Sequence, residues 1–350
     1  MMKILHSADL HLDTPFTGRS REQAQYLKEQ LLLVPEKLAR LCRQEQCDLV
    51  LLAGDLFDGP WSRQSFVVLR NALEDCGVPV FIAPGNHDPI SLNSPYTTEL
   101  WPGNVHIFPH PRMESVLLEE LDCRVYGAGY RSMDCGGLLE GFRCREDARY
   151  HVGVLHGDPT QADSPFCPIT TAQIDRCRLD YLALGHIHKG GELRQGKTLC
   201  VMPGCPMGRG FDETGIKGAV VATLDRTAQA HFYPLDTPRF YDEKTQDLAQ
   251  LLPAAGTQDF YRVTLVGEDT SVRLEALQAQ YRHFPHLELR DHRSAPTALW
   301  SSVDEDTLEG VYFRILKDAL ESADEHSAPI IELAAKLSRQ ILDGQEVVLP

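Results

Sequence analysis

Between residues 3 and 88 the chain three times drives a short apolar run into an abrupt polar tip. Residues 3–8 end in Asp9-Leu10-His11, residues 48–53 in Gly54-Asp55, and residues 79–83 in Pro84-Gly85-Asn86-His87-Asp88. Helical spacing separates these runs. Leu27, Leu31, Val34, Leu38 and Leu41 recur every three or four residues, which predicts a helix kinked at Pro35, and a second helix is predicted over residues 63–76. Repetition of strand, polar tip and helix argues for an α/β layer fold, whose reactive side chains sit on loops at the carboxyl ends of strands.

From Val105 the pattern shortens, with strands predicted near residues 105–108, 115–118, 124–127, 151–155, 181–184, 198–202, 219–224 and 229–233. A second sheet is implied. Residues 130–149 read as a Gly- and Arg-containing loop beside the candidate site, with one helical turn, and Pro234–Pro238 reads as a linker. Beyond it, residues 261–267, the amphipathic stretch 271–284 and residues 287–290 predict a small strand, helix, strand module. Two helices follow, one with Leu308, Val311, Tyr312, Ile315, Leu316 and Ala319 on one face, the other running from Pro329 to Leu342 and stopped near Gly344. Their apolar stripes read first as cover for a neighbouring core and second as a docking surface for another protein. The expected organisation is therefore 1–235, 240–300 and 301–350.

At 350 residues, 43% hydrophobic and 24% charged, the chain has room for one large and one small domain. No apolar run approaches the ~18 residues needed to span a bilayer, so no membrane partner and a cytoplasmic location are expected. The ten cysteines form no Cys-x-x-Cys pair and read as reduced, packed thiols. A net charge of −16 excludes a surface that grips nucleic acid over its whole area, though not a local groove. Residues 1–235 hold 29 acidic against 23 basic side chains, and residues 236–350 hold 21 against 11, so the acid concentrates in the last third.

Five strand ends present Asp9 with His11, Asp55, Asn86 with His87, His156, and His186 with His188. In an extended segment residues i and i+2 share a face, so His186 and His188 have the spacing of metal ligands. Carboxylate, amide and imidazole groups suit manganese, iron or zinc better than calcium, and the lack of thiolates disfavours a closed structural zinc site. Asp9, His11, Asp55, Asn86, His156, His186 and His188 are too many ligands for one ion. They fit two divalent ions with Asp55 as the candidate bridge, an arrangement that activates water and clamps a phosphoryl group.

Asp9-x-His11, Gly54-Asp55-x-x-Asp58, Gly85-Asn86-His87-Asp88, His156-Gly157 and Gly185-His186-x-His188 together resemble the five signatures of the calcineurin-like metallophosphoesterases. The resemblance implies a two-sheet β-sandwich flanked by helices, four layers in all. It assigns Asp9, His11 and His188 to one metal, Asn86, His156 and His186 to the other, and Asp55 to both. It makes His87 the non-ligand histidine that stabilises the transition state or protonates the leaving oxygen, with Asp88 orienting its ring. Residues 5–12, with Pro203-Gly204, Arg209, Phe211 and Glu213, resemble the SbcD-type DNA repair exonucleases, especially the YhaO-like group. That likeness spans residues 1 to about 235, with residues 240–300 where the family has a small α+β capping domain. Position 58 is Asp58 as in bacterial members, where archaeal relatives carry a histidine.

The resemblance implies a Mn²⁺-dependent phosphodiesterase acting on DNA, with Fe²⁺, Zn²⁺ or Mg²⁺ as alternative metals, an SbcC-like coiled-coil ATPase as partner, and a homodimer. Arg131, Arg143, Arg145, Arg149, Lys189 and Arg209 are the candidate backbone contacts. The alternatives are a phosphoesterase for a small or different substrate, such as a cyclic nucleotide, a nucleotide or a modified nucleic-acid end, and a metal-bearing scaffold for the ATPase.

Overall fold

The computed structural model describes residues 1–293 and 299–343. Its apolar runs become strands covered on both faces, which explains their lack of polar alternation. The strands β1 (Met2–Ser7), β2 (Leu49–Leu52), β3 (Val80–Ile82) and β4 (Val105–Ile107) lie parallel. After them come β5 (Glu114–Leu118), β6 (Cys123–Gly127), β7 (Tyr150–His156), β8 (Tyr181–Gly185), β9 (Gly191–Gln195), β10 (Thr198–Met202), β11 (Gly218–Leu224) and β12 (Ala228–Pro234). One six-stranded sheet has the order β12-β11-β1-β2-β3-β4 and the other β5-β6-β7-β8-β10-β9. Within the second, β6, β7, β8 and β10 run parallel, with β5 and β9 antiparallel at its edges.

Alternate residues of one strand serve different layers. Ile4, Leu49 and Leu51 pack with Val125, Val152, Val154 and Tyr181 between the sheets. Leu5, Val50 and Leu52 face the other way, onto Leu31, Leu38 and Phe66 of helices α1 (Arg21–Leu32), α2 (Val34–Gln44) and α3 (Arg63–Asp75). After the short α4 (Pro95–Thr98), α5 (Thr171–Cys177) lays Ile174 and Cys177 against Leu155, Leu182 and Leu184 on the outer face of the second sheet. The result is the two-sheet sandwich flanked by helices that the sequence leads one to expect.

Several local expectations change. The single helix kinked at Pro35 is two helices: Leu33 caps both, and Pro35 sits in the first turn of α2, where its missing N–H costs no helical hydrogen bond. Pro234–Pro238 is packed, not a free linker, since Leu235 and Thr237 are buried and the Leu235 N–H donates to the Lys217 carbonyl at 2.9 Å. Residues 130–149 contain no helix.

The chain divides into two compact units, residues 1–242 with 258–261, and residues 243–257 with 262–350. The later elements are β13 (Phe240–Thr245), α6 (Leu248–Leu251), β14 (Phe260–Leu265), α7 (Leu274–Gln280), β15 (Leu287–Asp291), α8 (Leu308–Glu321) and α9 (Ala328–Leu342), with a three-stranded sheet in the order β13-β14-β15. α7 is shorter than the predicted stretch and buries none of its residues. Among the described residues the predicted face of α8 covers no core: Leu308 is 90% and Ile315 62% exposed, whereas Gly310 and Phe313 are buried. α8 and α9 join instead through Arg339, whose guanidinium lies 4.1 Å over the Phe313 ring and pairs with Glu309. The predicted stop at Gly344 lies outside the described residues. Among those described, no helix is long and apolar enough to cross a membrane.

Candidate metal centre

Parallel strands bring their carboxyl ends to one edge of a sheet. There the tips of β1, β2 and β3 carry Asp9 and His11, Asp55, and Asn86 with His87, while β7 and β8 deliver His156, and His186 with His188. Backbone hydrogen bonds stitch the tips together, Asp9 N–H to Gly54 C=O at 3.0 Å and His11 N–H to Asp55 C=O at 2.9 Å. Between the sheets, His186 N–H donates to the Asp9 carboxylate oxygens at 3.1 and 3.2 Å. Asp9, His11, Asp55 and His186 all adopt left-handed backbone, with φ of 54°, 47°, 51° and 93°. Such conformations cost about 1–3 kcal/mol each away from glycine and persist only where the surroundings fix them. Gly185 allows the closest approach, because a Cβ there would stand 1.9 Å from the Ala53 carbonyl oxygen and 2.9 Å from His156 Nδ1.

Among the described residues three groups of ligand atoms lie within 4.8 Å of one another: Asp9 with His11 and the half-buried His188, the fully buried Asp9 with Asp55 and His156, and, toward the open side, His11 with Asp58 and His87. Asn86 joins the Asp9–Asp55–His156 group through Oδ1, 2.8 Å from His156 Nε2. His186 lies beside them, its ring 5.2 Å from that of His156 and 4.9 Å from Phe166, without entering any of the three.

The donor set fits cations. His156 Nδ1 donates to the Ala53 carbonyl at 2.9 Å, which leaves Nε2 as a lone pair facing Asn86 Oδ1 and, at 3.3 Å, Asp55 Oδ2. His11 Nε2 and His188 Nε2 likewise approach to 3.2 Å. Acceptors facing acceptors repel unless a proton or a metal ion stands among them. The protonation equilibria without metal report the same field. Burial disfavours a charged His156, yet Asp55 and Asp9 overcome it and push its pKa up to about 9. Burial, then the repulsion of Arg209, pushes His11 down to about 3, and burial followed by His156 pushes His186 down to about 4. Burial raises Asp9 to about 6. It would raise Asp55 too, but His156, His11 and His87 together hold that carboxyl well below its usual range.

Asp88 does not meet the His87 ring. Its Oδ1 accepts from Gly85 N–H at 2.8 Å and Asp55 N–H at 3.2 Å, and its Oδ2 from Leu56 N–H at 2.7 Å, Phe57 N–H at 3.3 Å and the Tyr96 hydroxyl. With both oxygens occupied, Asp88 ties the β2 tip to the β3 tip. The partner of His87 is Asp58, whose Oδ1 lies 3.0 Å from His87 Nδ1; this contact raises the His87 pKa and lowers Asp58 to about 2. His87 is 41% exposed, so it faces the open side of the site. A second residue without an assigned role is Glu213, buried and 2.6 Å from His188 Nδ1. Its only sequence signal is its place in the Arg209-x-Phe211-x-Glu213 pattern.

A family profile for calcineurin-like phosphoesterases matches residues 2–190, more than half of the chain. The chain belongs to this family. It is 34% identical over 233 residues to the uncharacterized metallophosphoesterase YhaO of Bacillus subtilis, a match covering 62% of this chain and 56% of that protein. The SbcD component of the nuclease SbcCD, also from Bacillus subtilis, is 28% identical over 265 residues, 63% of this chain and 65% of its own. The DNA double-strand break repair protein Mre11 of Aeropyrum pernix is 32% identical over 119 residues, 33% of this chain and 28% of its own. The chain thus spans less than two thirds of these relatives' lengths. The family is one of phosphoesterases, and the candidate ligand groups described above are of the kind that hold divalent metal ions.

The phosphoesterase fold also sorts the six cations expected at the site. Arg131 follows Tyr130, whose N–H donates to the Pro84 carbonyl and whose ring lies 5.6 Å from that of His156, but Arg131 itself lines a cavity with Arg112, Met113, Gly137 and Phe142. Lys189 follows His188, and Arg209 reaches Asp58 at 3.9 Å. Arg143, Arg145 and Arg149 do not belong there. Arg149 precedes β7 and His156 ends it, which separates them by about 20 Å of extended chain. Arg145 and Arg149 instead line a cavity with Arg178 and Lys197, which lie just before β8 and β10, while Arg143 and Arg178 share Glu146.

Proposed function

We propose that this chain is a dinuclear-metal phosphodiesterase that hydrolyses DNA. The observation that carries the reading is the convergence of carboxylate, amide-oxygen and imidazole groups from both sheets on one edge, with an exposed histidine paired to a carboxylate beside them. Asp9, His11 and His188 would hold one divalent ion, Asn86, His156 and His186 the other, and Asp55 would contact both. Such ions, with Mn²⁺ the expected metal, supply an activated water and stabilise charge on the phosphoryl group.

The remaining chemistry belongs to the side chains. His87 keeps Nδ1 on Asp58, which favours the charged ring and equips it to give a proton to the departing ribose oxygen. Asp88 holds the Asp55 and Gly85 backbone, so that tips from two strands keep one geometry. Lys189, next to His188, and Arg131, next to Tyr130, are the cations assigned to substrate phosphates. DNA is supported as substrate by the relatives, which include a component of the SbcCD nuclease and the double-strand break repair protein Mre11. The exposed stripe of Leu308, Val311, Tyr312 and Ile315 supports an SbcC-like coiled-coil ATPase as partner.

A second reading, a phosphodiesterase for a small or modified nucleotide, is favoured by the displacement of Arg143, Arg145 and Arg149 from the site edge and by the charge of −16. The test is hydrolysis of linear DNA, circular DNA and small phosphodiesters in Mn²⁺, with His87→Ala as control. Cleavage of linear DNA that fails in the variant supports the first reading. Turnover of small diesters with inert DNA reverses it in favour of the second.

A further inference from the structure

We infer that Glu213, clamped by Arg209, is a positioning residue that fixes which ring nitrogen of His188 is offered to metal, and thereby sets metal affinity at the Asp9–His11–His188 end of the site. The inference rests on the two-ion reading above. Glu213 lies in the loop after β10, with its side chain only 5% exposed. A carboxylate buried to that degree is costly unless its lone pairs are taken up. Oε1 accepts from Arg209 Nη2 at 2.7 Å and meets His188 Nδ1 at 2.6 Å; Oε2 accepts from Arg209 N–H at 2.8 Å. The carboxylate therefore has no free rotation.

Its consequence for His188 follows from electrostatics. Were Nδ1 unprotonated, its lone pair would face a carboxylate oxygen at 2.6 Å, a repulsive contact. With the proton on Nδ1, that contact becomes a charge-assisted hydrogen bond and Nε2 is left bare toward His11 and Asp9. Arg209 Nη2 also lies 2.9 Å from Nδ1, but both are donors that share Glu213 Oε1, so this distance is the third side of their triangle. Imidazole ligands held in this way are oriented and made more basic by the carboxylate, and loss of the partner typically weakens metal binding by about 10–100-fold. Arg209 also reaches Asp58 Oδ2 at 3.9 Å, so its guanidinium stands between the partner of His188 and the partner of His87. That commitment assigns Arg209 to holding carboxylates.

The test is calorimetric titration of the full, metal-stripped chain with Mn²⁺, with bound ions counted by electron paramagnetic resonance and folding checked by circular dichroism. The wild type should bind two ions. Glu213→Leu should weaken one of them by about 10–100-fold while the other stays within about threefold, and Glu213→Gln, which keeps an acceptor oxygen, should fall between. In a His188→Ala background Glu213→Leu should have no further effect on Mn²⁺ affinity, a silence that a merely structural role would not produce. Equal weakening of both ions, unchanged binding, or a further loss in the His188→Ala background would overturn the inference. Fewer than two ions bound by the wild type would instead remove the reading on which it rests.

Discussion

Replacing Asp88 by Asn separates two accounts of that carboxylate. If Asp88 oriented the His87 ring, the change would slow turnover and leave folding intact. The hydrogen bonds lead elsewhere: Asp88 accepts two backbone N–H groups on one oxygen, and two more together with the Tyr96 hydroxyl on the other. An asparagine has one acceptor oxygen, so whichever way the amide turns its NH₂ faces at least two donors. Hydrogen bonds to a charged group contribute about 1.5–3 kcal/mol each, so two lost bonds amount to about 3–6 kcal/mol. Part is offset because burial already makes the ionised carboxyl costly and raises its pKa. A net loss of about 3 kcal/mol corresponds to a fall of about 1–3 M in the urea midpoint. The assay is urea unfolding in chelator, followed by the fluorescence of Trp61 and Trp101 in a Trp300→Phe background. Trp101 stacks on Tyr96 at 5.7 Å and so reports from beside the substitution. An unchanged midpoint with only the rate reduced would instead place Asp88 on the ring of His87.

Other substitutions test neighbouring parts of the account. Asp58→Asn should lower hydrolysis by about 10²-fold or more with both ions retained; metal analysis showing a lost ion would make Asp58 a ligand. His6, buried with its Nδ1 2.8 Å from the Tyr181 hydroxyl, has its pKa pushed down to about 3 by burial. A folded pKa below the unfolded value of about 6.5 means its stabilising contribution is complete above that pH and is lost as pH falls through the window toward 3. The slope is at most about 1.4 kcal/mol per pH unit for one group. Urea unfolding in chelator at several pH values should therefore show a shallower acid-side loss in His6→Gln than in the wild type, and equal slopes would contradict it. Gly185→Ala should destabilise by about 1–3 kcal/mol through overpacking and weaken Mn²⁺ binding, because its Cβ would collide with the Ala53 carbonyl oxygen; a thermal melt with a Mn²⁺ titration checks both.

Much of this was legible because the decisive signals are local. An apolar run that stops at Asp, Asn or His marks a strand end, and parallel topology carries those ends to one edge, so Asp9, His11, Asp55, Asn86, His156 and His188 converge as expected. What failed depends on contacts distant in sequence or on weak patterns. Glu213 reaches His188 across 25 positions, and nothing in the local pattern specifies that contact. β9 escaped prediction because it is an exposed edge strand with no apolar alternation, and β13 because it is mostly polar beyond Phe240. The arginines were misplaced for a topological reason. A connection between parallel strands leaves the carboxyl edge and must return to the amino edge, so Arg143, Arg145 and Arg149, near its end, lie away from the carboxyl edge that carries the site. The stripe on α8 illustrates the limit of helical periodicity, which marks an apolar face without saying whether anything covers it.

A two-ion site with Asp55 between the ions can be seen by anomalous diffraction from a Mn²⁺-soaked crystal, collected at the manganese absorption edge. Two peaks should appear about 3.5–4 Å apart, one against Asp9, His11 and His188 and the other against Asn86, His156 and His186, both in contact with Asp55. A single peak, or a second one outside these residues, would contradict the two-ion site.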